Sequence, residues 1–271
     1  MQIDGINVLR HHRTAQYVAV NNARKDLALA MADMSILESS NPETIEATWL
    51  SSLSRLQSKP KCVVVDANWT TDCLHTWLRY ARSIKAITIF EPVSIAKSAR
   101  LFAPASSSNP AYDSIYPNHL VDVATPNSHE LTALHDAASQ LELFSHPAWF
   151  RVIDALGISS AGLRVPLSIT TSPELVDLGI PQQAIKLLPF IPTLLTKLGE
   201  KGVLLTKLIR ANDPVLNSPE EAQYVLSRCS NGDEEVGVGG LYVRLFPPER
   251  ILGEGGLRML WGWRRGRRGC R

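Results

Sequence analysis

The stretch KCVVVDANWTTDCLHTWLRYARSIKAITIF, residues 61–90, has the pattern of a strand–helix–strand unit. Residues 61–67 and 86–90 are short, apolar and rich in β-branched side chains, which predicts two strands buried on both faces of a parallel sheet. The residues between them place apolar side chains at helical intervals, namely Leu74, Trp77, Leu78 and Ala81. Because a helix joins the two strands, they run parallel, and the unit predicts an α/β fold.

The same alternation continues on both sides of this unit. Downstream, the patterns predict strands at 119–125, 193–199, 202–208 and 241–246, and helices at 128–141, within 147–189 and at 220–227. Upstream, residues 13–37 predict a β-hairpin. We therefore expect a mostly parallel sheet flanked by helices, with a small hairpin, over residues 1–252.

The composition excludes several classes of protein. The chain has 271 residues, of which 45% are hydrophobic and 20% charged, with 28 basic and 26 acidic side chains. Such a chain can bury a core, so it is neither disordered nor fibrous. It has no apolar run of the roughly 18 residues that cross a membrane, and residues 1–14 lack the apolar block of a signal peptide. We expect a cytoplasmic protein that does not bind membranes.

The last 19 residues, 253–271, differ from the rest. They contain six Arg and one Glu, a net charge of +5, which leaves −3 for the other 252 residues out of the total of +2. This Arg/Gly-rich tail has no hydrophobic period, so we expect it to be disordered or to result from a reading-frame error in the gene. Basic residues interleaved with Trp can also contact nucleic acid, but nucleic acid is not the expected partner.

The segment ATPNSHEL, residues 124–131, follows a predicted strand and opens a predicted helix. Asn127 and Glu130 have the spacing of a capping box, which needs no ligand. The same residues lie where a strand end meets a helix N-terminus, so Asn127 could orient phosphate oxygens and Glu130 could hold Mg²⁺ through water. The sequence of this segment alone leaves both interpretations open.

Two further segments place polar residues or glycines at strand ends. Asp66 and Asn68 follow the strand at 61–67, where they either cap the next helix or face a cleft. Gly199 and Gly202 bracket a turn between two strands, which as a local signal predicts only a hairpin.

The order and spacing of these segments resemble the ribokinase-like (PfkB) family of sugar and nucleoside kinases. In that family a D-x-N element is followed by T-P-N-x-x-E and later by a T/K-L-G-x-x-G turn beside the nucleotide. The matching residues here are Asp66-Ala67-Asn68, Thr125-Pro126-Asn127-Ser128-His129-Glu130 and Lys197-Leu198-Gly199-Glu200-Lys201-Gly202. EPVSIAKS, residues 91–98, is most similar to pseudouridine kinases, which in fungi are often fused to a pseudouridine-5′-phosphate glycosidase.

The resemblance implies ATP and Mg²⁺ as cofactors and a sugar or nucleoside, such as a pentose or pseudouridine, as substrate. It assigns nucleotide and phosphate binding to Asn127, Lys197, Gly199 and Gly202, the substrate cleft to Asp66 and Asn68, and the metal to Glu130. It also implies that the hairpin at 13–37 is a lid over the sugar, through which two copies of the chain would form a homodimer.

The chain departs from the family pattern at both ends. The G-A-G-D or G-V-G-D motif, whose Asp is the family's base, is absent after residues 241–249, and Gly237-Val238-Gly239-Gly240 lacks the Asp. The first strand and the glycine-rich sugar-binding loops are also absent. We therefore assign no catalytic residue and expect an incomplete kinase domain with impaired activity. The alternative is a non-catalytic module that binds a nucleotide or nucleoside.

Overall fold

The computed structural model describes residues 6–23, 27–105, 114–159, 161–229 and 232–248. The Arg/Gly-rich tail predicted at 253–271 lies outside the described residues. The strands are β1 (Gln16–Asn21), β2 (Leu27–Asp33), β3 (Cys62–Asp66), β4 (Ile87–Glu91), β5 (Val123–Ala124), β6 (Thr193–Lys197), β7 (Val203–Arg210), β8 (Val225–Arg228) and β9 (Val238–Phe246).

The described helices fall mostly between the strands. They are α1 (Ser35–Glu38), α2 (Pro42–Ile45), α3 (Ser51–Ser54), α4 (Thr71–Ser83), α5 (Ile95–Ser98), α6 (Ser128–Gln140), α7 (Pro147–Ala155), α8 (Arg164–Thr170), α9 (Pro173–Asp177) and α10 (Ile180–Leu187). A π-helical turn, Glu46–Leu50, joins α2 to α3. Thr70 starts α4 as its N-cap by accepting the Cys73 amide.

Seven of the described strands form the main sheet, in the order β3-β4-β5-β6-β7-β9-β8. The pairs from β3 to β6 are parallel, and the pairs β6–β7, β7–β9 and β9–β8 are antiparallel. Five of the seven strands, β3 to β6 and β9, therefore run in the same direction. The predicted α/β fold with a mostly parallel sheet is confirmed.

The hydrophobic core lies between the helices and one face of this sheet. Val65, Phe90 and Leu194 point into it and are at most 3% exposed. On the opposite face Val64 is 67% exposed and Ile87 55%. The prediction that β3 and β4 are buried on both faces was therefore wrong, because within the described residues the helices cover only one side of them.

The predicted hairpin is present as a separate two-stranded antiparallel sheet, β1 with β2. Its large apolar side chains are between 47% and 59% exposed; they are Tyr17, Val18, Val20, Leu29 and Met31. Because neighbouring residues of a strand point to opposite faces, exposure of both Tyr17 and Val18 shows that neither face is covered by the described residues.

The helix predicted at 220–227 was wrong. This segment forms a short 3₁₀ turn, Ala222–Tyr224, and then strand β8, which pairs antiparallel with β9 at the sheet edge. Glu221 accepts from the Tyr242 hydroxyl at 2.6 Å and from Arg244 at 3.1 Å. Pairing with β9 gives the backbone the hydrogen bonds that a helix would otherwise supply.

Candidate functional site

The predicted site residues meet where β3, β4, β5 and β6 end. Asp66 and Glu91 are register partners in the last positions of β3 and β4. The Lys197 amide donates to the Pro126 carbonyl at 2.8 Å, which sets the TPN segment beside the end of β6. The carboxyl ends of parallel strands are where ligands bind in open α/β sheets. The sheet therefore brings the three motifs together at the carboxyl ends of its parallel strands, here called the carboxyl edge.

Glu91, Thr125 and Lys197 form an ionic cluster at this edge, here called the strand-end cluster. The Lys197 ammonium donates to the two Glu91 carboxylate oxygens at 3.0 and 3.1 Å, and the Thr125 hydroxyl donates to the same carboxylate. The side chains of Lys197 and Glu91 are 46% and 34% exposed. Both charges are thus open to an incoming ligand.

The loop Asp66–Trp69 follows β3 and is held by its own side chains. The Asp66 carboxylate accepts from the backbone N–H of Asn68 at 2.9 Å and from its side-chain Nδ2 at 3.1 Å. Asn68 Oδ1 in turn accepts from the Lys97 ammonium at 2.8 Å. Asn68 is only 7% exposed, so it mainly shapes the loop, and the half-buried Asp66 is the more accessible of the two predicted cleft residues.

Asn127 and Glu130 form a capping box at the start of α6. Asn127 Oδ1 accepts from the amides of His129 and Glu130, each at 2.9 Å, and Glu130 Oε2 accepts from the Asn127 amide at 2.8 Å. Glu130 is 4% exposed. The capping interpretation is confirmed, and the predicted roles of these residues toward phosphate and Mg²⁺ stay predictions.

Glycine is favoured at positions 199 and 202 for different structural reasons. Both have positive φ, +61° and +90°, which favours glycine. A Cβ on Gly202 would lie 2.0 Å from the Phe246 carbonyl oxygen of β9, whereas a Cβ on Gly199 would meet nothing within 4 Å. Gly202 therefore allows two strands to approach, and Gly199 faces open space next to the strand-end cluster.

Sequence reasoning missed three residues at this site. Glu91 ends its strand just as Asp66 does, so the rule that identified Asp66 could have found it. Lys97 reaches Asn68 because Ser94 caps the short helix α5. Arg100 contacts the Asp66–Trp69 loop from the 3₁₀ turn Ala99–Leu101, and these contacts between residues distant in sequence leave no local sequence signal.

One buried histidine among the described residues has a strongly shifted pKa. His75 of α4 is 1% exposed, and burial, assisted by the charge of Arg79, lowers its pKa to about 4. Within the described ranges, no three His, Cys, Asp or Glu side chains are grouped closely enough to hold a metal ion. Nor does any helix there have the length and hydropathy of a membrane span.

The chain is similar in sequence to a pseudouridine-metabolizing bifunctional protein of Schizosaccharomyces pombe. The two are 28% identical over 195 residues, which cover 71% of this chain and 23% of that protein. The sequence match and the three motifs at the carboxyl edge of the sheet support the same fold. The fold is ribokinase-like. The chain spans less than a quarter of this curated relative, and no protein-family model matches it.

Solved kinases that share little sequence with this chain match part of its structure. A carbohydrate kinase from Agrobacterium tumefaciens is 17% identical, with 74% of this chain and 48% of that chain covered and a TM-score of 0.42. A ribokinase from Thermotoga maritima is also 17% identical, with 72% and 45% covered and a TM-score of 0.37. This chain covers less than half of each of these two kinases.

Proposed function

We propose that this ribokinase-like chain is the core of an ATP-dependent phosphotransferase for a hydroxyl of a sugar or nucleoside, with pseudouridine as the first candidate substrate. The observation that carries the proposal is the meeting of the Asp66–Trp69 loop and the strand-end cluster at the carboxyl edge of the sheet. The S. pombe relative is named for pseudouridine metabolism, which supports the choice of nucleoside.

Phosphoryl transfer needs little covalent chemistry from a protein, because positioning and charge stabilisation supply most of the catalysis. Lys197 brings a cation to the edge, and the open turn at Gly199 lets a phosphate approach it. A nucleotide phosphate would compete with Glu91 for the Lys197 ammonium. Asp66, at the end of β3, is the group that would accept hydrogen bonds from substrate hydroxyls.

Mg²⁺ bound with ATP would neutralise charge on the phosphates. Such ions are usually held by one or two carboxylates together with phosphate oxygens. Glu91 fits this requirement, since its carboxylate is 34% exposed. Glu130 fits less well, because it is 4% exposed and one of its oxygens already accepts from the Asn127 amide.

Binding without turnover is the second candidate function. It is favoured by the sequence, which contains no G-x-G-D motif. At the described edge Asp66 is already bonded to Asn68, and Glu91 to Lys197 and Thr125. A positioned base contributes roughly 10²–10⁴ in rate, so we expect this polypeptide to phosphorylate slowly or not at all while it retains affinity.

Calorimetric titration of the folded chain tests both candidates. We expect heat on adding ATP with Mg²⁺, and heat on adding pseudouridine that is larger than with uridine. Coupled measurement of ADP release then separates turnover from binding. A folded chain that binds neither compound would remove the proposed function.

A homodimer through the hairpin extends this proposal. The hairpin exposes five large apolar side chains on its two faces, which favours contact with a second copy. Light scattering should show a dimer that Val18→Lys with Met31→Lys converts to a monomer. These two residues are register partners, so the paired charges would also repel each other. A monomeric parent chain at high concentration would contradict the dimer.

A further inference from the structure

Arg100 makes an unusual set of contacts with the Asp66–Trp69 loop, here called the substrate loop. Its Nη1 lies 3.0 Å from the Ala67 carbonyl oxygen, 3.2 Å from that of Asn68 and 2.8 Å from that of Trp69. Three successive carbonyls of the Asp66–Trp69 loop thus converge on one guanidinium, and the Arg100 side chain is 27% exposed. A guanidinium has five N–H donors in a rigid plane, and the lysine ammonium cannot reproduce that geometry.

The same guanidinium also contacts the segment that carries the hairpin. Residues 34–54, here called the connector, follow β2 and lead back to the sheet. Arg100 Nη2 lies 3.4 Å from the Glu38 carboxylate at the end of α1. Glu38 is 49% exposed, so this ion pair is weak, and the carbonyl contacts dominate the energetics of Arg100.

Two other contacts join the connector to the same region. The Trp49 ring packs edge-on against Trp69, with centroids 5.9 Å apart. The Cys73 thiol of α4 donates to the Ser40 carbonyl at 3.3 Å. The connector therefore touches both the substrate loop and the helix that follows it, and Arg100 adds a polar contact between the connector and the substrate loop.

The geometry points to Arg100 as a positioning residue that fixes the substrate loop and couples its shape to the hairpin connector. This inference rests on the proposed function, since the loop is assigned to the sugar or nucleoside. In this role Arg100 holds the backbone that presents Asp66, and movement of the connector is transmitted to that backbone.

Binding by the full chain tests the role, with pseudouridine and ATP·Mg²⁺ titrated separately. Because a lysine ammonium cannot reproduce the three carbonyl contacts of the guanidinium, Arg100→Lys should weaken pseudouridine binding about tenfold or more and leave ATP affinity within about twofold. Glu38→Gln should weaken it by only about threefold. Arg82→Lys is the matched control, because this exposed arginine donates to one carbonyl, that of Pro117, away from the site, and it should bind normally.

Amide hydrogen exchange without ligand gives a second readout. Arg100→Lys should speed exchange in residues 66–70 and 35–40 while α6 keeps its protection. If the parent chain binds no pseudouridine, the proposed function fails and the exchange result alone decides the role of Arg100. Parental affinity and exchange in Arg100→Lys would overturn the inference. Equal loss of ATP affinity, or faster exchange throughout the chain, would also overturn it, because it would show general destabilisation.

Discussion

Lys197 of β6 reaches across β5 to donate to both carboxylate oxygens of Glu91 at the end of β4, at 3.0 and 3.1 Å. The hydroxyl of Thr125, which follows β5, donates to the same carboxylate. Three neighbouring strands are thereby joined at their carboxyl ends by an ion pair and a side-chain hydrogen bond as well as by backbone hydrogen bonds. The arrangement leaves one cation and one carboxylate open to a ligand that carries phosphate and metal.

Glu91→Gln should change how strongly the affinity for ATP depends on Mg²⁺. The substitution removes a carboxylate that repels phosphate and competes for Lys197, so Mg²⁺-free ATP should bind severalfold more tightly. The gain in affinity on adding Mg²⁺ should shrink, because one proposed metal ligand is lost. Titrations in EDTA and in Mg²⁺ measure both effects. Glu174→Gln, which breaks the exposed pair with Lys201, is the control, and an unchanged gain in Glu91→Gln would contradict a metal role.

Alanine at the two turn glycines should separate backbone strain from close packing. Gly199→Ala meets open space and should lower the free energy of unfolding by about 1 kcal/mol through its positive φ. Gly202→Ala would place a Cβ 2.0 Å from the Phe246 carbonyl oxygen and should cost about 2–4 kcal/mol. Urea denaturation measures both changes. Equal losses would show that β9 can move away from the turn.

Stability should fall as the pH is lowered through the titration of His75. Its pKa is lowered from 6.5 to about 4 in the fold, chiefly by burial. Below pH 6.5 the unfolded chain therefore binds a proton that the folded chain refuses until about pH 4. The folded state therefore has its full stability above pH 6.5, and roughly 3 kcal/mol of the free energy of unfolding is lost as the pH falls from 6.5 to 4. Urea denaturation of the parent and His75→Gln gives the difference, and parallel pH profiles would disprove this role.

Much of the fold could be predicted because its signals are local. The strand at Cys62–Asp66, the helix at Thr71–Ser83 and the capping box at Asn127 each follow from neighbouring residues. Segment 220–227 was wrongly predicted because its helical pattern competes with pairing to β9, a contact that the pattern within the segment does not show. The exposure of Val64 was missed because an apolar run does not reveal which side of a sheet the helices cover.

The site was predicted in part for the same reason. Asp66, Asn127 and Lys197 belong to motifs whose order could be read, and the sheet brings them to one edge. Glu91 and Arg100 act through contacts with residues distant in sequence, Lys197 and the Asp66–Trp69 loop respectively. Such partnerships depend on strand order and loop packing, which no local pattern encodes.

Titration of ATP·Mg²⁺ into the parent chain and Lys197→Met tests the central claim most directly, namely that the strand-end cluster binds nucleotide phosphate. Because Lys197→Met leaves the Glu91 carboxylate without its ion-pair partner, the double variant with Glu91→Gln controls for stability. The parent should bind, and both variants should remain folded with affinity reduced about tenfold or more, as expected for loss of a hydrogen-bonded charge. Unchanged affinity in the folded variants would contradict the claim.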